Sequence, residues 1–135
     1  MTYIGETNSK GERHGQGTET YADGRTYTGE WQDGNLHGHG TSTYPLSFTY
    51  TGEWQRGLEN GQGTLTYADG RTYTGEFQDG LPHGQGIFTD ADGKRYPVEY
   101  KDGELFRTPN WSRIVLALLV VVGFLWLAWR YFSGL

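Results

Sequence analysis

The chain has 135 residues, a formal net charge of −5 and no cysteine, which leaves room for one small domain plus an appendage and excludes disulfides, thiol catalysis and Cys-based metal sites. The charge is unevenly spread: all 16 Asp and Glu and 20 of the 22 Gly lie in residues 1–106, together with only 8 Lys and Arg. That part carries −8 and repels phosphate, so neither nucleic acid nor a flat anionic lipid surface is an expected partner.

The first residues, Met1-Thr-Tyr-Ile-Gly-Glu6, have neither a basic nor an apolar run, so neither a signal peptide nor an Arg-rich transit peptide is expected. A repeat then dominates. The pairs Gly15/Gly17, Gly38/Gly40, Gly61/Gly63 and Gly84/Gly86 follow one another at intervals of 23 residues, as do Tyr27, Tyr50, Tyr73 and Tyr96. Gly-Glu follows each early tyrosine (Gly5-Glu6, Gly29-Glu30, Gly52-Glu53, Gly75-Glu76), and an aromatic comes next in three copies: Trp31, Trp54 and Phe77. Tyr3 precedes Tyr27 by 24, and Thr7 stands where the aromatic belongs, so the first copy reads as an atypical cap.

Within a copy the period is two. In Tyr27-Thr-Gly-Glu-Trp31 the Tyr, Gly and Trp share one face; in Gly63-Thr-Leu-Thr-Tyr67 the Gly, Leu and Tyr do. Alternation rich in Thr, Tyr and Trp predicts β-strands. Ala22-Asp23-Gly24-Arg25, Ala68-Asp69-Gly70-Arg71 and Asp92-Gly93 carry the Asp-Gly of a tight hairpin, and Gln32–Gly38 reads as a longer connection. Two strands per copy predict one antiparallel meander of nine or ten strands, about 45 Å across at ~4.8 Å per strand. Pro97, in the half-length last copy, suits the closing edge of a sheet.

Tyr27-Thr-Gly-Glu-Trp31, then Gly34, then His37-Gly-His-Gly40, with Tyr67-Ala-Asp-Gly70 for the second half, resembles the MORN repeat family over about residues 3–106. Departures are Pro45-Leu46-Ser47 in place of Ala-Asp-Gly and Asn60 in place of the histidine. The copies are about 3–26, 27–49, 50–72 and 73–95, with a half copy at 96–106. The resemblance implies an elongated single-layer sheet with a concave aromatic groove that engages partner proteins. Its expected lining is Tyr27, Trp31, Tyr50, Trp54, Leu65, Tyr73, Phe77 and Phe88, a part-exposed row. These rings either hold the sheet together, or bind a partner, or do both.

After a linker at 107–110, residues 111–132 predict one transmembrane helix, with 133–135 as its tail. Between Arg113 and Arg130 lie 16 uncharged residues, roughly 24 Å of helix. Trp111, Trp126, Trp129 and Tyr131 supply interfacial aromatics, and Arg113 and Arg130 snorkel outward. The segment is apolar all round, unlike a soluble amphipathic helix. A span so near the end reads as a tail anchor, single-pass, with the repeats in the cytosol, or on the matrix or stromal side for an imported or organelle-encoded subunit.

His14, His37 and His83 occupy equivalent positions, roughly 9–10 Å apart from one copy to the next, and a ladder of that kind does not converge on a metal. Glu30, Glu53 and Glu76 form a similar ladder that reads as a solvated face. Gly-x-Gly without a following helix is no phosphate loop. No catalytic residue, metal or cofactor is expected. The expected function is a membrane-anchored interaction scaffold, an accessory subunit or adaptor of a membrane complex that contacts other protein subunits, integral membrane proteins among them, and lipid through its helix. The alternatives are a junctophilin-like membrane-contact tether and a trans-acting regulator of a membrane enzyme.

Overall fold

The computed structural model describes residues 1–107. The transmembrane helix expected at 111–132, with Trp111, Arg113, Trp126, Trp129, Arg130 and Tyr131, lies outside the described residues. The described chain is one ten-stranded antiparallel sheet, its strands ordered in space as in sequence. They are β1 (Thr2–Thr7), β2 (Arg13–Thr20), β3 (Thr26–Gln32), β4 (Asn35–Tyr44), β5 (Phe48–Gln55), β6 (Leu58–Tyr67), β7 (Thr72–Gln78), β8 (Leu81–Thr89), β9 (Arg95–Lys101) and β10 (Glu104–Arg107). The period-two pattern is the cause. In β3 and β7 the Tyr, Gly and aromatic positions are buried, while Thr28, Gln32, Thr74 and Gln78 are exposed.

The two faces differ in chemistry. One carries the aromatic residues. The other carries threonines, whose hydroxyls pair across strands at 3.0 Å in Thr18–Thr28, Thr41–Thr51 and Thr64–Thr74. Ile87 opposite Pro97 ends that series.

The turns correct the sequence reading. The tight hairpins are Asp33-Gly34, Arg56-Gly57, Asp79-Gly80 and Asp102-Gly103, in which both residues have positive φ (47° and 84° in the first). That is the type I′ geometry matching strand twist. At Ala22-Asp23-Gly24-Arg25 only Gly24 has positive φ. There Tyr21 N–H donates to Arg25 O, and the Asp23 carboxylate accepts from Arg25 N–H, closing a wider loop. The expected long connection Gln32–Gly38 is a two-residue turn followed by strand. Gly38 is a bulge glycine inside β4, with φ 58°.

That bulge recurs. Gly29 pairs with Gly40, but Glu30 pairs with His37, so Gly38 and His39 have no partner on β3. Gly15, Gly61 and Gly84 hold the same place with φ of 69°, 89° and 62°. A bulged strand bends. The bend's direction is visible in β2: Arg13 and Glu19 stand six residues apart, roughly 20 Å in a straight strand, yet their side chains pair. Both lie on the aromatic face, which is therefore the concave one.

Two ends remain. The extra residue of the first copy falls in the Asn8–Glu12 loop, where the Asn8 side chain accepts from Lys10 N–H and Glu12 N–H. Pro97 lies in β9, which β10 follows; the sheet does not close there as expected. Yet β10 pairs only with Glu99, Tyr100 and Lys101, so it stops short of Pro97. Among the described residues that stretch of β9 has no strand beyond it and needs no donor there.

Candidate interaction face

The concave face is built from a small unit used repeatedly. A tyrosine ring lies across the glycines of its own and the next strand: a Cβ on Gly40 would run into the Tyr27 ring, its Cε2 being 2.6 Å away, and Gly63 and Gly86 stand alike to Tyr50 and Tyr73. Glycine is required because the ring takes the space of the missing side chain. The tyrosine hydroxyl then donates to the carbonyl three residues on: Tyr27 to Glu30 O at 2.9 Å, Tyr50 to Glu53 O at 3.0 Å, Tyr73 to Glu76 O at 3.3 Å. Burial pushes all three phenols well above their ordinary range. The next aromatic completes the unit: Trp31 Nε1–H donates to Gly17 O at 3.2 Å and Trp54 Nε1–H to Gly40 O at 3.1 Å.

The units interlock edge to face. Tyr27 stands between Trp31 and Trp54, with centroids 5.1 and 5.2 Å away. Tyr50 stands between Trp54 and Phe77 at 5.2 and 4.9 Å, and Tyr73 between Phe77 and Tyr100 at 5.5 and 5.1 Å. Each such contact contributes about 0.5–1.5 kcal/mol beyond burial. One continuous chain of rings therefore couples the copies.

All eight residues expected to line the groove are on this face. The expected part-exposure is wrong for seven of them: Tyr27 and Tyr50 are 0 % exposed, and Trp31, Trp54, Tyr73, Phe77 and Phe88 are 5 % or less. The reason is the interlock, since the rings bury one another and need no second layer. Leu65 is half-buried against them. These rings form the floor of the face, and other side chains stand around them.

The sequence reading missed what stands there. Arg13, Leu36, Glu59 and Pro82 occupy one position in successive copies, marked by the same bond: Gly34, Gly57, Gly80 and Gly103 N–H donate to their carbonyls. In the first copy the Arg13 guanidinium lies 5.5 Å from the Tyr3 ring and 5.1 Å from that of Trp31, and pairs with Glu19, which is 1 % exposed. Burial and a bond to Glu19 raise Tyr21 to about 12. In the third copy Glu59 pairs across strands with Trp54, and Gly61 of the same strand pairs with Phe77. Burial raises the Glu59 carboxyl to about 7. The residue as a whole is half-buried. The repeat register was the signal available: these four residues each stand two before the bulge glycine.

The glutamate ladder on the other face is also more than solvated. Glu30 Oε1 accepts from His39 N–H at 2.8 Å and Glu53 Oε1 from Gln62 N–H at 2.9 Å, amides that the bulge removes from the ladder. The histidines stand by separate carboxylates: His14 by Asp33 at 3.4 Å, His39 by Glu30 at 3.7 Å, His83 by Asp102 at 3.7 Å. An open concavity of ≈ 490 Å³ on the threonine face is lined by Gln62, Thr74, Gln85, Ile87, Pro97 and Glu99, among others.

A comparison with curated proteins finds no match. The MORN repeat family model matches at residues 9–24, 27–45, 50–70 and 73–95, which together make up more than half of the chain. The last three matches begin at the tyrosines that cover the paired glycines, and on this ground the chain belongs to the MORN repeat family.

Proposed function

We propose that this chain is a non-catalytic, membrane-anchored scaffold, an accessory subunit or adaptor of a membrane protein complex. MORN repeats are protein- and membrane-interaction modules, compatible with that role. The observation that carries the reading is the concave aromatic face: among the described residues no second layer covers it, and its floor is rigid because Tyr27, Tyr50 and Tyr73 are each wedged between two other rings. A rigid, preformed surface loses little entropy on binding. Tyr27, Trp31, Tyr50, Trp54, Leu65, Tyr73, Phe77 and Phe88 supply that floor. The apolar segment around Trp111–Tyr131 supplies the anchor and its lipid contacts. The acidic repeats favour a protein partner over nucleic acid or an anionic bilayer.

The test is extraction of native membranes in mild detergent, followed by sizing. Comigration with a large assembly after an alkaline wash has failed to strip the protein is the expected result. Release by the wash overturns the anchor. Migration as a single chain in its micelle overturns the subunit reading and leaves the tether, for which flotation of the protein with a second population of vesicles is the check.

A further inference from the structure

We propose that Glu59 is the receptor for an arginine side chain presented by a basic partner segment lying on the concave aromatic face. This rests on the reading of that face as a docking face.

The protein itself shows the interaction. Arg13 holds the position equivalent to Glu59, and its guanidinium lies against the Tyr3 and Trp31 rings, which stand edge to face, and is paired with a buried glutamate. So this face accommodates a guanidinium against its rings, with a carboxylate to balance it. At the third copy the components are reversed. The carboxylate is fixed, Trp54 and Phe77 stand on its two flanking strands, and no cation pairs with it among the described residues. Tyr44 on β4 and Tyr50 on β5 feel its charge, and both are neutral phenols. Its carbonyl is held by Gly80 N–H, and a Cβ on Gly80 would stand 3.4 Å from its Oε2, so the acid is set against the next turn.

A carboxyl in such a place is costly to ionise alone, and a cation repays that cost. Arginine fits better than lysine because a planar guanidinium stacks on rings while bonding a carboxylate. The acidic charge of the repeats steers a basic segment toward it. Binding converts the neutral acid to carboxylate, and the proton leaves to solvent.

The experiment uses the full chain in an uncharged detergent. The probe is an oligo-arginine peptide blocked at both ends, with its citrulline counterpart as uncharged isostere; affinity is read by fluorescence anisotropy. Because the ionised fraction of a group near pH 7 grows about tenfold between about pH 6 and pH 8, binding is expected to tighten about tenfold over that range. Glu59→Gln is expected to remove this dependence and to weaken binding about tenfold or more at the higher pH. Asp92→Asn, which removes one charge from an exposed loop, is expected to leave affinity unchanged. Equal losses in Glu59→Gln and Asp92→Asn would assign the affinity to bulk charge and overturn the proposal. So would an unchanged pH slope in Glu59→Gln, or citrulline peptide binding as tightly as arginine to the unaltered protein. Should Glu59→Gln still comigrate with the native assembly, this proposal fails and the docking reading stands. Loss of comigration by both proteins would instead fail the docking reading, while the peptide titration still decides on Glu59.

Discussion

At the residue scale, the paired glycines and the half-buried acid Glu59 carry the most specific consequences. Gly40 and Gly34 are both invariant elements of the repeat grammar here, but for different reasons. A methyl group on Gly40 meets the Tyr27 ring, which cannot retreat because Trp31 and Trp54 hold it on two sides and its hydroxyl is bonded to Glu30 O. A methyl on Gly34 meets nothing within 4 Å, and only the left-handed φ of 84° opposes it. Gly40→Ala should therefore cost about 2–4 kcal/mol and Gly34→Ala about 1 kcal/mol, measured by urea denaturation. Equal costs would mean the ring has room to move. Glu59 gives a pH signature. Its carboxyl is raised from 4.5 to about 7 in the folded state, so between those values the folded chain binds the proton more tightly than the unfolded one. Stability must then fall as pH rises from about 4.5 to about 7 and stay at the lower level above it. The loss is at most about 3 kcal/mol and is reduced by the residue's partial contact with water. Subtracting the stability curve of Glu59→Gln from that of the parent should isolate this fall; a flat difference would place the carboxyl in water.

At the element scale, strands were legible and turns were not. The strands are written in a period of two, and side-chain burial repeats it without exception in β3 and β7. Asp-Gly, by contrast, occurs in both connections of a copy, at Asp23-Gly24 and at Asp33-Gly34. What separates them is whether the aspartate turns to positive φ or spends its carboxylate on Arg25 N–H. That choice depends on the register, which the bulge sets, and a bulge glycine reads as a turn glycine when seen alone. The groove residues were likewise assigned to the correct face, because alternation fixes the face. Their burial was not legible, because it follows from the bend of the strands and the wedging of rings from three copies. Glu59 was invisible for a related reason: in a segment of charge −8 one more acid looks solvated until its position is aligned with Arg13. One loop departs from its equivalents. In Tyr44-Pro45-Leu46-Ser47-Phe48 the positive φ of 61° falls on Leu46, a residue that is 99 % exposed. The leucine gains no burial for its strained backbone. Leu46→Gly should stabilise the protein by about 1 kcal/mol, seen as a rise in Tm. A fall would show that this loop draws stability from the leucine.

At the scale of the whole molecule, each strand is bonded only to its neighbours in sequence, so the sheet is close to one-dimensional. Two things join the copies along it: backbone ladders, which are alike everywhere, and the chain of rings, which is not. Tyr3 has one ring partner, Trp31, and a threonine where its own aromatic would be, so the ring chain thins at β1. At the far end Tyr73 passes the contact to Tyr100, and β10 holds only part of β9. The middle copies should be the most stable, with protection from hydrogen exchange highest in β4–β7 and falling toward both ends. Tyr50 is the residue that makes this argument falsifiable. It is fully buried, bridges Trp54 of its own third copy and Phe77 of the fourth, and so links the two halves of the ring chain. Tyr50→Ala should cost about 3–5 kcal/mol. If stability is a sum of neighbour terms, that cost falls locally: β5 and β6 lose protection to near the exposed rate, β2–β3 and β7–β8 keep most of theirs, and the urea m-value drops because the halves unfold separately. If all ten strands lose protection alike and the m-value holds, the sheet folds as one unit, and the ring chain is packing without any special part in coupling the copies.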